Sequence, residues 1–377
     1  MPPIPDALEL ARRLIRVKTV NPPGNELECA VILAGMLEEA GFAVELQEIS
    51  SGRANLAARL TGSHDGPVLG FTGHLDTVPL GRAEWSFDPF AAEVSDGKLL
   101  GRGASDMKAG VAAITAAAVR HALESKNRAN LVLLFTAGEE TGCEGATHIP
   151  KITLVPGRLG ALVVAEPTSN YPILGHKGAL WFKAVAKGIT AHGSMPELGD
   201  NAIYKAARAA LKLENFQFSV PPHPILGRAT LNVGTIQGGL NINSVPDYSE
   251  IAVDIRTLPS QVNAELLNEL GEVLGPEVEV HPLSSSGAVW TNPDQPWIGD
   301  VFAIMSGLLG ETPEPRSVPY FTDASELTAS LGGPPTVILG PGEAGQAHQT
   351  NEYCSVDRIY EAVEAYGKII DQWSVTK

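Results

Sequence analysis

Histidines and carboxylates that could bind a metal ion recur at the ends of apolar segments in this 377-residue sequence. The first is His74, which follows the apolar run 67–70 of a predicted buried strand, and Asp76 comes two residues later. Side chains alternate between the faces of a strand, so these two are predicted to point the same way. A carboxylate in this position can hold a metal-binding imidazole in place. Taken alone, the pair is equally compatible with a buried histidine that makes a local hydrogen bond.

Asp106 lies in a glycine-rich segment, residues 101–110, directly before an alanine-rich helix predicted from about Val111 to Leu123. Asp is a favoured residue at the N-cap of a helix, where its side chain accepts a backbone hydrogen bond. The simplest interpretation of Asp106 alone is therefore a helix cap. A role as metal ligand requires partners from elsewhere in the chain.

Two further predicted strands, 130–136 and 160–166, are continuous apolar runs that end in carboxylates. Such runs are typical of strands covered on both faces of a sheet. Ligands of open α/β sheets bind at strand ends, which makes these carboxylates candidates for a site. The acidic residues are Glu139, Glu140 and Glu166.

A second histidine, His348, follows the predicted strand 335–340. Nitrogen and carboxylate ligands without cysteine suit zinc, or less selectively cobalt or manganese. A single catalytic zinc takes three protein ligands, so a larger set suits two metal ions that share one carboxylate. The candidate metal ligands are His74, Asp106, Glu140, Glu166 and His348.

The elements that must position these residues indicate an α/β fold with two domains. Alternating helices and apolar strands predict a catalytic domain with a mixed sheet covered by helices, formed by residues 1–176 and 289–377. Residues 177–288 follow the order β-α-β-β-α-β, which predicts an inserted ferredoxin-like α+β domain. Its predicted strands are 177–187, 228–237, 248–257 and 276–283, and its predicted helices are 200–214 and 260–273. In the last segment we predict a helix over 296–309 and a loop over 321–325.

Composition narrows the class of protein. Apolar residues make up 44% and charged residues 19%, and the net charge is −16. This indicates a folded chain with a sizeable core and argues against a general nucleic-acid binder, which needs a basic surface. The longest apolar stretches fall short of the roughly 20 residues of a membrane helix. The N-terminal residues lack the features of a signal peptide. The three cysteines, Cys29, Cys143 and Cys354, are not spaced like zinc ligands. We therefore expect reduced thiols and a cytoplasmic location.

Taken in order, these segments resemble the dinuclear zinc amidohydrolase and peptidase family of acetylornithine deacetylase, succinyl-diaminopimelate desuccinylase, aminoacylase and glutamate carboxypeptidase. The resemblance extends over nearly the whole chain. Its motifs are residues 73–79 (GHLDTVP), 101–110 (GRGASDMKAG), 139–140 (EE), 166–167 (EP), 191–194 (AHGS) and 348–352 (HQTNE).

The resemblance implies two zinc ions bridged by Asp106, with cobalt or manganese as possible substitutes. The other ligands would form two pairs, His74 with Glu166 and Glu140 with His348. The resemblance also implies that Asp76 orients His74 and that Glu139 is the general base for a metal-activated water. A cis peptide bond is implied between Asp106 and Met107.

For the inserted domain, the resemblance implies a lid and a homodimer interface. His192 matches a lid histidine that reaches the active site of the partner subunit and holds the oxyanion. Asn243 and Arg256 match lid residues that contact substrate. Two of these residues also have simpler interpretations, because Arg256 could form a surface ion pair and His192 could be an ordinary loop histidine.

The implied reaction is hydrolysis of the amide bond of an N-acyl amino acid, of the deacetylase or desuccinylase type. A carboxypeptidase or dipeptidase that releases a C-terminal amino acid is the alternative, since the bond and the ligands are the same. The loop 320–325 differs from the Gly- and Ser-rich version of proteobacterial desuccinylases, which argues against that particular activity. A non-catalytic binding protein on this scaffold could lack Glu139 or one ligand, but here every expected position is filled. A serine hydrolase would need a G-x-S-x-G elbow after a strand, and no such elbow follows a predicted strand.

Overall fold

The computed structural model describes residues 2–375, which form eight α-helices and fifteen strands, numbered along the chain. The helices are α1 Ala7–Arg16, α2 Glu26–Glu39, α3 Ala109–Glu124, α4 Ala202–Glu214, α5 Asn263–Leu274, α6 Pro296–Leu309, α7 Ala324–Ser330 and α8 Val356–Val375. The strands are β1 Ala43–Ser50, β2 Arg53–Leu60, β3 Leu69–His74, β4 Val94–Ser95, β5 Lys98–Leu100, β6 Leu131–Thr136, β7 Ala161–Val164, β8 Gly175–His176, β9 Gly178–Lys187, β10 Thr230–Gly238, β11 Tyr248–Thr257, β12 Val278–Ser286, β13 Val289–Trp290, β14 Thr336–Ile338 and β15 Tyr353–Ser355.

The chain divides into two compact units. The first contains the residues up to 175, residues 290–316 and the residues from 322 onward. The second contains 176–289 together with the short segment 317–321, which the sequence assignment had placed in the catalytic domain. Within the described part of the chain, no helix has both the length and the apolar character needed to cross a membrane.

The first unit is built on a mixed six-stranded sheet in the order β1-β2-β6-β3-β7-β14. The strands β6, β3, β7 and β14 run parallel, while β1 and β2 pair antiparallel at one edge. Every residue of β3, β6 and β7 is buried, as expected for apolar strands covered on both faces. The predicted α/β fold with a mixed sheet is therefore confirmed, and the carboxyl ends of its four parallel strands meet at one edge.

Two glycines bring the Asp106 segment close to the ends of these strands. A Cβ atom at Gly110, in the first turn of α3, would collide with the carbonyl oxygen of Ala165. A Cβ atom at Gly73 on β3 would lie 2.9 Å from the Cε atom of Met107. Because both positions lack a side chain, Asp106 can lie next to the strand ends that carry His74 and Glu166.

The second unit has the predicted order β9-α4-β10-β11-α5-β12, with the strands arranged β10-β11-β9-β12. All neighbouring strands are antiparallel, which is the ferredoxin-like topology. One face of the sheet packs against the two helices through residues such as Phe182, Ile255 and Leu270. The other face presents polar side chains, among them Asp254 and Arg256 of β11.

The short helix α7 was not predicted, because its first two residues were assigned to a loop and the other five to no element. Its seven residues span less than two turns, too few to show a clear 3.6-residue pattern. The helix predicted over 296–309 is confirmed by α6. The three cysteines are buried free thiols.

Candidate metal centre

Asp106 is not the N-cap of α3, and the helix-cap interpretation is wrong. The helix begins at Ala109 with Lys108 in the capping position. Asp106 has non-helical backbone angles, with φ −122° and ψ 92°, and its peptide bond to Met107 is cis, as the resemblance implied. This backbone path directs the carboxylate of Asp106 toward other side chains rather than toward the helix amides.

The two carboxylate oxygens of Asp106 face two different histidines. Its Oδ1 atom lies 2.9 Å from Nε2 of His74, and its Oδ2 atom lies 3.5 Å from Nε2 of His348. The two imidazoles come from sequence positions more than 270 residues apart. One carboxylate is thus placed between two nitrogen ligands, which is the arrangement expected of a residue shared by two metal ions.

The proton position of His74 follows from its neighbours. Nδ1 lies 3.0 Å from the main-chain carbonyl oxygen of Asp76, which can only accept a hydrogen bond. Nδ1 therefore carries a proton, and Nε2 is the nitrogen available to a metal ion. Burial alone would lower the pKa of His74, but hydrogen bonds to Asp106 and Asp76 raise it well above its usual range. A metal ion bound at Nε2 would take the place of the second proton.

Two glutamates complete the contacts around Asp106. Oε2 of Glu140 lies 2.9 Å from Nε2 of His348, and Oε1 of Glu166 lies 3.9 Å from Nε2 of His74. These are the two pairs that the resemblance implied. The structure brings all five predicted ligands together.

His348 differs from the other four because its side chain is 55% exposed. It has a φ of 63°, in the left-handed region that residues other than glycine rarely adopt. A residue held in such a conformation is a candidate for a functional role. Here the backbone conformation accompanies an imidazole directed at Glu140 and Asp106.

Glu139 also lies within the cluster. Ligand atoms of His74, Glu139 and Glu166 are all within 4.8 Å of one another, and so are those of His74, Asp106 and Glu140. Distance alone would thus allow Glu139 to be a ligand. The sequence-based assignment of Glu139 as general base and Glu140 as ligand stays a prediction.

Asp76 has a wider role than the one predicted. One of its carboxylate oxygens lies 3.5 Å from Nδ1 of His74, farther than the main-chain carbonyl. The carboxylate also accepts hydrogen bonds at 3.2 Å from the backbone N–H groups of Glu139 and of Glu140. It accepts another, at 3.0 Å, from Nδ2 of Asn21. Asp76 therefore links the strand end that carries His74 to the loop that carries both glutamates.

Asn21 was missed in the sequence analysis. It is buried, and besides Asp76 its side chain donates to Oγ1 of Thr141 at 3.0 Å. The only local signal is the Asn-Pro-Pro-Gly sequence of residues 21–24, which is typical of a turn. Nothing in that pattern indicates a contact across 55 residues.

Asp323 was also missed, since the predicted loop over 321–325 contains it but no role was assigned to this residue. It is buried, and its carboxylate accepts a hydrogen bond from Oγ1 of Thr136, the last residue of β6. Burial raises the pKa of Asp323 to about 6. It adds a further acidic group at the same edge of the sheet.

Electrostatics indicate that the cluster would bind cations. Burial raises the pKa of Glu139 and of Glu166 well above the usual range, and neighbouring carboxylates raise both further. Burial and the charge of Asp106 likewise raise the pKa of Glu140, although His348 opposes this shift. The Oε1 atom of Glu140 is buried and has no hydrogen-bond partner among the described residues. Crowded carboxylates with an unpaired buried oxygen fit a site for metal cations, which would favour their ionised forms.

In the second unit, His192 and Asn243 lie on neighbouring segments. The N–H of Gly193 donates to the carbonyl oxygen of Asn243 at 2.8 Å, and a Cβ at Gly193 would lie 2.9 Å from that oxygen. The N–H of Ser194 donates to Nδ1 of His192 at 3.2 Å. Since an N–H group can only donate, Nδ1 is unprotonated, and Nε2 of the exposed imidazole carries the proton. This histidine is therefore a hydrogen-bond donor at its outer nitrogen.

Arg256 lies on β11 and is paired with Asp254. Its Nε atom is 3.0 Å from Oδ1 of Asp254, with Nη2 3.2 Å from Oδ2. Asp254 also accepts a hydrogen bond at 2.7 Å from the indole N–H of Trp181 on the adjacent strand. The surface ion pair considered for Arg256 is present, and its Nη1 group is not used in this contact.

The fold and the cluster together define an α/β protein with a candidate metal-binding site at its strand ends. A family model described as Peptidase family M20/M25/M40 matches residues 70–372. The chain is 32% identical to the acetylornithine deacetylase of Proteus mirabilis (strain HI4320), over 99% of this chain and 98% of that one. The chain therefore belongs to peptidase family M20/M25/M40, whose members are hydrolases.

Solved structures share the fold. The aminopeptidase PepT from Bacillus cereus ATCC 10987 has a TM-score of 0.76 at 23% identity, covering 97% of this chain and 98% of that one. The YXEP protein of Bacillus subtilis, described as a dinuclear metal binding peptidase of this family, has a TM-score of 0.73 at 17% identity, covering 97% and 96%. At these identities the similarity establishes the fold.

Proposed function

We propose that this protein is a metal-dependent amidohydrolase that removes the acyl group of N-acyl amino acids. The observation that carries the proposal is the position of Asp106 between His74 and His348, with Glu166 and Glu140 beside them. The similarity to a full-length acetylornithine deacetylase favours an N-acetyl amino acid as substrate. Hydrolysis would release a carboxylic acid and a free amino group.

The donor set fits two zinc ions, with cobalt or manganese as substitutes, because it offers two nitrogens and several carboxylates without sulfur. Asp106 would be shared, His74 and Glu166 would complete one site, and Glu140 and His348 the other. Bound metal ions would lower the pKa of water and polarise the scissile carbonyl group.

The proton transfers are assigned to Glu139. Its carboxylate is buried beside the ligands, and the hydrogen bond from its backbone N–H to Asp76 fixes the start of its side chain. As general base, Glu139 takes a proton from the attacking water and passes it to the leaving amine. His192, protonated on Nε2, supplies a hydrogen-bond donor for the negative charge that develops on the carbonyl oxygen.

A hydrolysis screen tests the substrate class. Purified protein loaded with zinc or cobalt should be assayed with N-acetyl amino acids, N-succinyl amino acids and dipeptides that share the same amino acid. We expect the N-acetyl substrates to have the highest kcat/KM. Preference for dipeptides would favour the peptidase alternative, and absence of hydrolysis of all three classes would contradict the proposal.

Metal content provides an independent test of the two-ion site. We expect a chelator to abolish activity, and metal analysis of the reloaded protein to approach two ions per chain, because the ligands form two sets that share Asp106. Titration of the metal-free protein followed by equilibrium dialysis gives the stoichiometry. Full activity with a single bound ion would contradict the two-ion site.

We further propose that the protein acts as a homodimer through the second unit, with His192 completing the site of the partner subunit. The support is the resemblance, together with an exposed imidazole whose Nε2 atom has no hydrogen-bond partner among the described residues. Mixing inactive His192→Ala protein with inactive Glu139→Gln protein should then restore activity, since each mixed dimer holds one intact site.

The matched control replaces the Glu139→Gln partner with a protein that carries both substitutions. This mixture contains no intact pair of Glu139 and His192 and should stay inactive. Mass spectrometry of differently tagged subunits establishes that exchange has taken place. If subunits exchange and the first mixture gains no activity, His192 does not act across subunits.

A further inference from the structure

A buried carboxylate outside the predicted ligand set holds the backbone of the Asp106 segment. The side chain of Glu352 is fully buried. Its Oε1 atom accepts hydrogen bonds from the backbone N–H groups of Ser105 at 2.8 Å and of Asp106 at 3.0 Å. Its Oε2 atom accepts from Nη1 of Arg102 at 2.6 Å and from the N–H of Gly103 at 3.0 Å.

These four hydrogen bonds use the full accepting capacity of a carboxylate, which has about four lone-pair positions. They also satisfy backbone N–H groups that the irregular conformation of residues 103–106 leaves without helical partners. Gly103 has a φ of 86° and Asp106 has non-helical angles, so the N–H groups here are not satisfied by a regular helix. Buried N–H groups need acceptors, and Glu352 supplies them from one charged group.

Glu352 belongs to the same short segment as a predicted metal ligand. His348 precedes it by four residues, and Tyr353 follows it on β15, which pairs with β5. Oγ of Ser105 donates to the carbonyl oxygen of Tyr353 at 2.7 Å, and the N–H of Gly101 donates to that of Glu352 at 3.0 Å. The segments that carry Asp106 and His348 are therefore joined directly through Glu352.

We propose that Glu352 is a positioning residue that fixes the backbone of Asp106 relative to His348 and so sets the metal affinity of the site. Its carboxylate contacts the backbone of Asp106 and forms no hydrogen bond with the side chain of Asp106 or of His348 among the described residues. It acts through the N–H of Asp106 and through the chain that leads back to His348. The proposal rests on the metal site proposed above.

The test replaces Glu352 with glutamine, which has nearly the same shape. One end of the glutamine side chain is an NH₂ group that can only donate, so at least two of the four donors lose their acceptor. We expect zinc and cobalt to bind about 10–100-fold more weakly, the range typical when a residue that supports a metal ligand is changed. The cobalt absorption spectrum should also change, because the geometry around Asp106 is altered.

Glu26→Gln is the matched control. Glu26 is likewise buried in the first unit and paired with an arginine, with Oε1 3.1 Å from Nη2 of Arg53. Both substitutions remove the charge of a buried ion pair and should lower the melting temperature of the metal-free protein. Only Glu352→Gln should weaken metal binding, measured by competition with a chelating indicator.

A second variant, Glu352→Asp, keeps the charge but shortens the reach, and it serves if Glu352→Gln does not fold. We expect it to fold and to bind metal more weakly than the wild type. Wild-type affinity and an unchanged cobalt spectrum in either folded variant would overturn the proposal. A wild-type protein that binds no metal would instead overturn the proposed function, and this inference with it.

Discussion

Replacing Glu139 with glutamine is expected to lower kcat by at least roughly 10²–10⁴-fold, the contribution typical of a general acid–base group. Glutamine keeps the size of the side chain and removes its ability to take a proton. The substitution leaves the other carboxylates and both histidines in place, so metal content should stay near that of the wild type. Steady-state kinetics and metal analysis on the same preparation measure the two effects together.

The adjacent substitution, Glu140→Gln, should have the opposite pattern. Glu140 contacts His348, and its Oε1 atom is buried without a partner among the described residues, so we assign it to metal binding. Its replacement should release metal, with activity partly restored at high metal concentration. Equal loss of metal in both variants would contradict the division of roles, and would favour Glu139 as a ligand with His74 and Glu166.

Glu144→Gln provides the matched control on the same loop. Glu144 pairs with Nη1 of Arg53 at 2.6 Å, but its side chain is 50% exposed and it is not among the predicted ligands. Exposed ion pairs contribute about 0–1 kcal/mol to stability. Kinetic constants and metal content of this variant should therefore match those of the wild type.

The fold could be predicted largely because its strands are continuous and apolar. The strands β3, β6 and β7 are buried along their whole length, and each produces a clear run in the sequence. The β-α-β-β-α-β order of the second unit could be predicted for a related reason. Apolar residues recur with different periods in its strands and in its helices, so the two kinds of element can be told apart in the sequence. The helix α7 escaped prediction because seven residues are too few for a period to be visible.

The site was predicted less completely, because its contacts join distant parts of the chain. Residue types at strand ends identified the candidate ligands, since the ends of parallel strands meet at one edge of a sheet. Asn21 and Glu352 reach the site from outside such strand ends, across 55 and 246 residues. Asp106 was ambiguous for a different reason, because an Asp before a helix is the pattern of both a cap and this ligand.

Recognition of the substrate carboxylate is the second large effect that we expect. We propose that Arg256 binds the carboxylate next to the scissile amide nitrogen, as in an N-acyl amino acid. Arginine has a planar set of N–H donors that can bind a carboxylate through two parallel hydrogen bonds. In this structure Asp254 occupies the Nε edge and leaves the Nη1 group for another acceptor. Asp254 would thus orient the guanidinium group of Arg256 as well as balance its positive charge.

Arg256→Lys should raise KM and lower kcat/KM for carboxylate substrates. The expected loss of binding free energy is about 1.5–3 kcal/mol, the contribution of a charge-assisted hydrogen bond. Lysine keeps the charge and the pairing with Asp254 but has no planar fork. Arg208→Lys is the matched control, because Arg208 forms an exposed pair with Glu277 in the same unit, at 2.7 Å. That change should leave the kinetic constants unaltered.

Amidated substrates separate carboxylate recognition from a structural role of Arg256. An N-acetyl amino acid amide keeps the scissile bond and removes the negative charge next to it. The wild-type protein should hydrolyse it poorly, because the fork of Arg256 then meets a neutral group whose NH₂ can only donate. The Arg256→Lys substitution should have little further effect on this substrate, since the contact that it weakens is already absent. If the wild type hydrolyses free and amidated substrates equally well, the carboxylate is not recognised, and the pair with Asp254 is the whole role of Arg256.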